Sequence, residues 1–221
     1  MKLCLVTDRR RLAAAVGARP DDWGVLQEQV GAAAHAGVDY IQVREPDLEA
    51  SELTDLVRRL LPLVAGSDAK LLVNDRIDVA LAAGAHGVHL KEQGILPGLA
   101  RRMTPEGFVI GCSVHTTAVL GARKAADFLI AGTVLSTASK RAPDYLEEKG
   151  LRRIVRAAGQ QPVLGIGGLD VASVPMLRSS GAAGLAAIGA FIPAGGEGVL
   201  EFVQKRVREL RFALESGPRQ T

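Results

Sequence analysis

Pro162-Val-Leu-Gly-Ile-Gly-Gly-Leu169 is an apolar run that dissolves into glycine, and Gly184-Leu-Ala-Ala-Ile-Gly-Ala190 repeats the theme about twenty residues later. Runs this short do not suit a helix, and they lack the alternation of a half-buried strand. Parallel strands covered on both faces fit them. A glycine exit has no Cβ and lets backbone N–H groups approach a ligand. A helix opening at Leu169-Asp-Val-Ala-Ser173 would add a positive end suited to a phosphate. One such exit can equally relieve crowding at a strand-to-helix turn, but two side by side favour a phosphate cup.

Working outward, six further runs share the character of these two. The spacing predicts eight strands, at Leu3–Val6, Tyr40–Val43, Lys70–Val73, Gly87–Leu90, Phe108–Cys112, Asp127–Ala131, Val163–Gly165 and Gly184–Ile188. It predicts helices over 25–36, 51–64, 77–83, 96–103, 118–125, 147–158, 171–179 and 197–215. Small-residue turns such as Ala36-Gly-Val-Asp39, Ala83-Gly-Ala-His86 and Ser180-Gly-Ala-Ala183 close helices and lead straight into strands. Repeated strand-helix alternation requires a parallel sheet, and eight units of this size match one closed (β/α)8 TIM barrel spanning 1–221. A doubly wound open sheet is the alternative. No Gly-x-Gly-x-x-Gly follows the first strand, where Thr7-Asp-Arg-Arg-Arg11 stands instead, so a dinucleotide site is disfavoured.

Composition narrows the function classes. A chain of 221 residues, 48% apolar and only 4% aromatic, suits small-residue helices packed on a parallel sheet rather than an antiparallel sandwich. The net charge of +3 is small, and the densest basic cluster, Lys205–Arg211, is interrupted by Val207 and Leu210 as a solvated helix face would be. Neither nucleic acid nor a membrane is expected as a partner. Cys4 and Cys112 lie inside apolar runs without metal-ligand spacing, which fits buried thiols in a reducing, cytosolic compartment. Oligomeric state is left open.

In such a barrel chemistry sits at the carboxyl ends of the strands. That rim collects Thr7, Asp8, Gln42, Arg44, Glu45, Asn74, Asp75, His89, Lys91, Glu92, Ser113, His115, Thr137, Ser139 and Lys140. Arg44 offers a planar fork to a phosphate or carboxylate, or an ion pair to Glu45 or Asp75. Asp75 reads either as a ligand for Mg²⁺ on a pyrophosphate or as the cap of the helix starting near Ile77. His115 stands just past a strand in a polar loop and is the natural proton shuttle. His89, inside Gly87-Val-His-Leu90, is its rival, while His35 and His86 fall on a helix and at the opposite barrel end. Lys140 closes a hydroxyl-rich loop suited to anionic oxygens.

Taken together, Leu5-Val-Thr-Asp8, Ile41-Gln-Val-Arg-Glu45, Val73-Asn-Asp-Arg76, Gly84-Ala-His-Gly-Val-His-Leu90, Gly111-Cys-Ser-Val-His115, Thr137-Ala-Ser-Lys140 and Gly165-Ile-Gly-Gly168 resemble the thiamine-phosphate synthase and thiazole tautomerase family. The resemblance covers about residues 2–192. It implies a thiamine-biosynthesis barrel that binds a thiazole phosphate at Gly167, Gly168, Ile188 and Gly189, with Gln42, Arg44, Asn74, Ser113, Thr137, Ser139 and Lys140 around the substrate. The synthase branch couples a pyrimidine-methyl pyrophosphate to the thiazole with Mg²⁺, held here by Asp75. Its pattern also has a lysine where this chain has Pro46 and a second metal-binding aspartate where it has Gly94, although Glu45 or Glu92 could replace the missing acid. The tautomerase branch aromatises a thiazole carboxylate phosphate without a cofactor and would use His115 to move the proton. The two departures point to the tautomerase, an isomerase. The alternatives are the synthase, a transferase, and a phosphate-binding barrel without activity.

Overall fold

The structure, a computed structural model, describes residues 1–136, 145–194 and 196–216. Its strands are β1 (Lys2–Val6), β2 (Tyr40–Val43), β3 (Lys70–Asn74), β4 (Gly87–Leu90), β5 (Val109–Val114), β6 (Phe128–Gly132), β7 (Val163–Ile166) and β8 (Gly184–Ala187). All pair in parallel in chain order and close into a barrel through β1 and β8, with Lys2 opposite Gly184 and Cys4 opposite Ala186. The expected (β/α)8 barrel is therefore the observed fold.

The outer ring consists of α1 (Arg9–Val16), α2 (Trp23–Ala36), α3 (Ala50–Val64), α4 (Ile77–Ala83), α5 (Pro97–Met103), α6 (Glu147–Ala158), α7 (Val174–Ser180) and α8 (Val199–Glu215). Helix α3 shows why these segments fold so. Leu53, Leu56, Val57, Leu60 and Val64 recur on one buried face, and a reciprocal Glu49/Glu52 capping box starts it. Gly37, Gly84 and Gly181 end α2, α4 and α7 in the left-handed conformation, as expected of glycine closing a helix before a strand.

Element ends shift by a residue or two, as where β5 runs on to Val114, and three stretches differ from expectation in kind. Helix α1 was not foreseen; Asp8 caps it by accepting from the Arg11 amide, and Leu12 and Ala13 bury its inner face. The helix expected over 118–125 is a 3-10 segment, Thr117–Arg123, and glycine at 121 offers an α-helix little there. The helix expected from Val171 begins as a 3-10 turn, Val171–Ser173, before α7.

The core has two layers. An outer apolar layer lies between strands and helices, and Cys4, Val6, Leu72, Phe128, Ile130, Leu164 and Ala186 fill the barrel interior. Tyr40 and Phe128 stack there with ring centroids 4.6 Å apart. A Cβ at Gly111 would fall 2.5 Å from Phe128 Cζ, so that strand position admits no side chain while the ring is in place. Truncating a buried ring of this kind costs roughly 3–5 kcal/mol. At the amino end of the barrel, Asp39 accepts from Lys2 Nζ and the Leu3 amide, both at 2.8 Å, and from Arg211. Both cysteines are buried and free, and burial pushes the Cys112 thiol up to about 11. This end holds the barrel together, which leaves the opposite mouth for chemistry.

Candidate active site

The two glycine exits lie side by side at the carboxyl mouth. Gly167, Gly168, Ile188 and Gly189 line a cavity of about 710 Å³ together with Arg11 and Arg206. Gly167 and Gly168 have φ of 104° and 66°, and a Cβ on Gly168 would lie 2.5 Å from the Ser136 carbonyl oxygen. Glycine at 168 is thus demanded by the backbone that follows β6 and by its own positive φ. Gly189 differs, because a Cβ there meets only Arg11 Nη2, at 3.5 Å. Its small size serves the cavity.

Asp170 accepts from the Ser173 amide and Ser173 Oγ bonds back to the Asp170 amide, so the helix start after β7 is already met by a carboxylate. The donors left to an anion come from the turn Gly189–Phe191 directly after β8, whose first N–H groups find no partner within the turn itself. Arg11 adds a cation on that side. Sequence reasoning passed over Arg11 because Arg9-Arg10-Arg11 looked uniform. On a helix the three separate: Arg9 and Arg10 turn to Asp47, at 2.5–2.9 Å, while Arg11 faces the cavity.

Between β1 and β2 the rim is locked by a buried polar network. Thr7 Oγ1 donates to Glu45 at 2.6 Å, Arg9 reaches Glu45 at 3.0 Å, and Trp23 covers the guanidinium with its ring centroid at 5.4 Å. Burial pushes the Glu45 carboxyl up, opposed by the Thr7 and Arg9 bonds, while Arg9 holds Asp47 down at about 2. Arg44 follows in this corner; its amide donates to Thr7 Oγ1 at 2.9 Å, its side chain is exposed, and among the described residues no carboxylate pairs with it. Gln42 Nε2 donates to Asn74 Oδ1 at 2.8 Å, which leaves the Asn74 amide nitrogen as a donor to the mouth.

His89 is fully buried beneath this rim, with Nε2 3.0 Å from Ser113 Oγ. Burial lowers its pKa to about 4, against the opposing pull of Asp75, so the ring is neutral at pH 7. His115 stands just past β5, half exposed, with Nδ1 3.1 Å from Glu92 Oε2 and its amide 2.6 Å from the same oxygen. Asp75 does not cap α4, whose cap position is Arg76 without a side-chain bond. It pairs instead with Lys91 Nζ at 2.7 Å and accepts from the Lys91 amide at 3.3 Å. Glu45 and Glu92, the acids expected to stand in for one at position 94, are bonded instead to Arg9 and His115. Among the described residues no three acids, histidines or cysteines gather closely enough to hold a metal. Thr137, Ser139 and Lys140 lie outside the described residues.

Residues 3–191 match the family model described as thiamine monophosphate synthase. The chain is 35% identical over 217 residues to a thiamine-phosphate synthase of Pyrococcus abyssi, covering 97% of this chain and 95% of that one. It is 38% identical over 194 residues to a thiamine-phosphate synthase of Roseiflexus castenholzii, covering 86% and 80%. The structure superposes on a thiamine phosphate pyrophosphorylase from Pyrococcus furiosus with a TM-score of 0.77 and 32% identity, covering 97% and 95%. These likenesses overturn the tautomerase expected from Pro46 and Gly94: a transferase, and not an isomerase, is what the relatives are named for. The two departures each remove one charge. They leave the cup, Gln42, Arg44, Asn74, Asp75 and Ser113 in place, and so do not separate this chain from the synthases.

Proposed function

We propose, from the premise that this chain belongs to the thiamine monophosphate synthase family, that it couples a pyrimidine-methyl pyrophosphate to a thiazole phosphate, releasing pyrophosphate. One observation carries the reading: identity of 35–38% to named synthases over most of both chains. The geometry supports it. The cup of Gly167, Gly168, Ile188 and Gly189, with Arg11 on its wall, takes the thiazole phosphate at one side of the mouth. Gln42, Arg44, Asn74 and Ser113 lie across it and take the pyrimidine and its pyrophosphate.

The methylene–oxygen bond of the pyrimidine substrate breaks, its electron pair leaves with the pyrophosphate, and the thiazole nitrogen closes a carbon–nitrogen bond on the cation. No proton is transferred in this step. His115 is accordingly given no proton-carrying role; its bond to Glu92 joins the ends of β4 and β5. The protein supplies positioning and donors aimed at the departing pyrophosphate, where stabilisation counts most because charge grows there as the bond breaks. A divalent ion held between two carboxylates does not fit the donors present, since position 94 is glycine and the nearby acids Glu45 and Glu92 are bonded to Arg9 and His115.

Both substrates are small phosphorylated molecules, in keeping with a cytosolic reaction, and no described helix is long and apolar enough to cross a membrane. The test is to incubate the purified protein with both substrates and quantify thiamine phosphate. Its formation at catalytic turnover is the expected result, and none beyond the uncatalysed background, with either added or chelated Mg²⁺, would refute the reading.

A further inference from the structure

Where the family pattern places a second metal-binding aspartate, this chain has built something else. Asp75 leaves β3 with φ of 62°, a conformation rare for a residue with a Cβ, and its carboxylate turns to the β4 exit. There one residue engages both oxygens, Lys91 through its ammonium at 2.7 Å and through its amide at 3.3 Å. A Cβ on Gly94 would fall 2.8 Å from Asp75 Oδ1, so the space a side chain at 94 would enter is taken by this pair. The loop carrying Lys91 is fixed: the Gly94 amide donates to the Lys91 carbonyl at 3.1 Å, Arg123 donates to the Glu92 carbonyl, and Glu92 holds the His115 amide. The ammonium itself is free to move, since the Lys91 side chain is 62% exposed against 24% for Asp75.

We propose that Lys91 is a pyrophosphate-binding cation of this protein, held on Asp75 until the pyrophosphate arrives and then transferred to it. This rests on the synthase reading for the identity of the anion. An exposed ion pair in water is weak, so exchanging a carboxylate for a phosphate oxygen costs little. An ammonium brings three donors and a charge that does not depend on a dissociable ion. Pyrophosphate binding is therefore largely independent of divalent cations, and Lys91 offsets the charges missing at Pro46 and Gly94.

The experiment measures binding of inorganic pyrophosphate to the purified protein by calorimetry, in EDTA and in millimolar MgCl₂. The wild type should bind in EDTA within about threefold of its affinity in Mg²⁺. Lys91→Met should lose about tenfold or more in EDTA, as expected for removing a charge-assisted contact, and Lys91→Arg should retain most of the affinity. Asp75→Asn frees the ammonium and should bind pyrophosphate in EDTA at least as well as wild type, whereas an aspartate that serves a metal would show its loss only in Mg²⁺. Wild-type binding that appears only with Mg²⁺, or Lys91→Met binding equal to wild type in EDTA, overturns the proposal. Failure of coupling with Lys91-dependent pyrophosphate binding intact would refute the synthase reading alone.

Discussion

Acidification should destabilise this protein through His89 in a way that can be isolated. The ring is fully buried among Ser113, Phe128 and Gly111 and stays neutral down to about pH 4, whereas in the unfolded chain it takes a proton near 6.5. Above pH 6.5 neither state is protonated and the residue contributes no pH dependence. Between 6.5 and 4 the unfolded state binds a proton that the folded state refuses, so unfolding free energy falls as pH falls, and below 4 it levels off. At roughly 1.4 kcal/mol per pH unit, the depression from 6.5 to about 4 amounts to about 3 kcal/mol, most of it lost by about pH 4.5. The assay is urea denaturation of wild type and His89→Gln across this range, with the difference between their unfolding free energies plotted against pH so that other titrating groups largely cancel. The difference should be flat above pH 7 and fall by about 2–3 kcal/mol by about pH 4.5. A difference that stays constant over the whole range would show that His89 is not held neutral by burial, and the reading of the barrel interior would be wrong.

Other expectations follow from the same contacts. Arg9→Met leaves Glu45 buried without its cation and should cost about 3–5 kcal/mol in urea denaturation, because breaking a buried pair strands a charge; a loss under about 1 kcal/mol would mean that Thr7 and the backbone amide of residue 9 together satisfy the carboxylate. Gly189→Val should fold normally and lose thiazole phosphate binding in calorimetry, since its side chain would enter the cavity beside Arg11. Gly168→Val should lower thermal stability as well, because its Cβ meets the Ser136 carbonyl. Arg11→Met should weaken thiazole phosphate binding by about tenfold, the scale of one charge-assisted bond, and leave pyrophosphate affinity unchanged.

The barrel was legible because its strands are buried on both faces. Runs such as Tyr40–Val43 and Gly87–Leu90 need no alternation, and their observed bounds equal the expected ones. Glycines that end α2, α4 and α7 marked the helix boundaries for the same reason, a backbone requirement written at one position. Helix α1 escaped because Arg9-Arg10-Arg11 hides its buried face, Leu12 and Ala13, although Asp8 three residues before Arg11 carried a cap signal. Among the described residues, the positions at the strand ends were legible as a rim, since strand ends fix which positions reach the mouth. Their partners were not. Whether Asp75 caps α4 or meets Lys91, and whether Glu45 serves Arg9 or Arg44, is decided by side chains from separate loops competing in space, for which one sequence carries no periodicity. The preference for an isomerase failed similarly: it counted charges lost at Pro46 and Gly94 without seeing the cations placed nearby, Lys91 on Asp75 and Arg11 at the cup.

On the proposed function, this barrel moves the whole pyrimidine-methyl unit from pyrophosphate to the nitrogen of a thiazole phosphate. The most direct measurement follows pyrophosphate release and thiamine phosphate formation together in one reaction, with each substrate omitted in turn and with Gly189→Val as a folded control. The expected result is one pyrophosphate per thiamine phosphate, release that requires the thiazole phosphate, and loss of both products in Gly189→Val. Pyrophosphate released at the full rate without thiazole phosphate, or no product from the wild type with both substrates present, would contradict it.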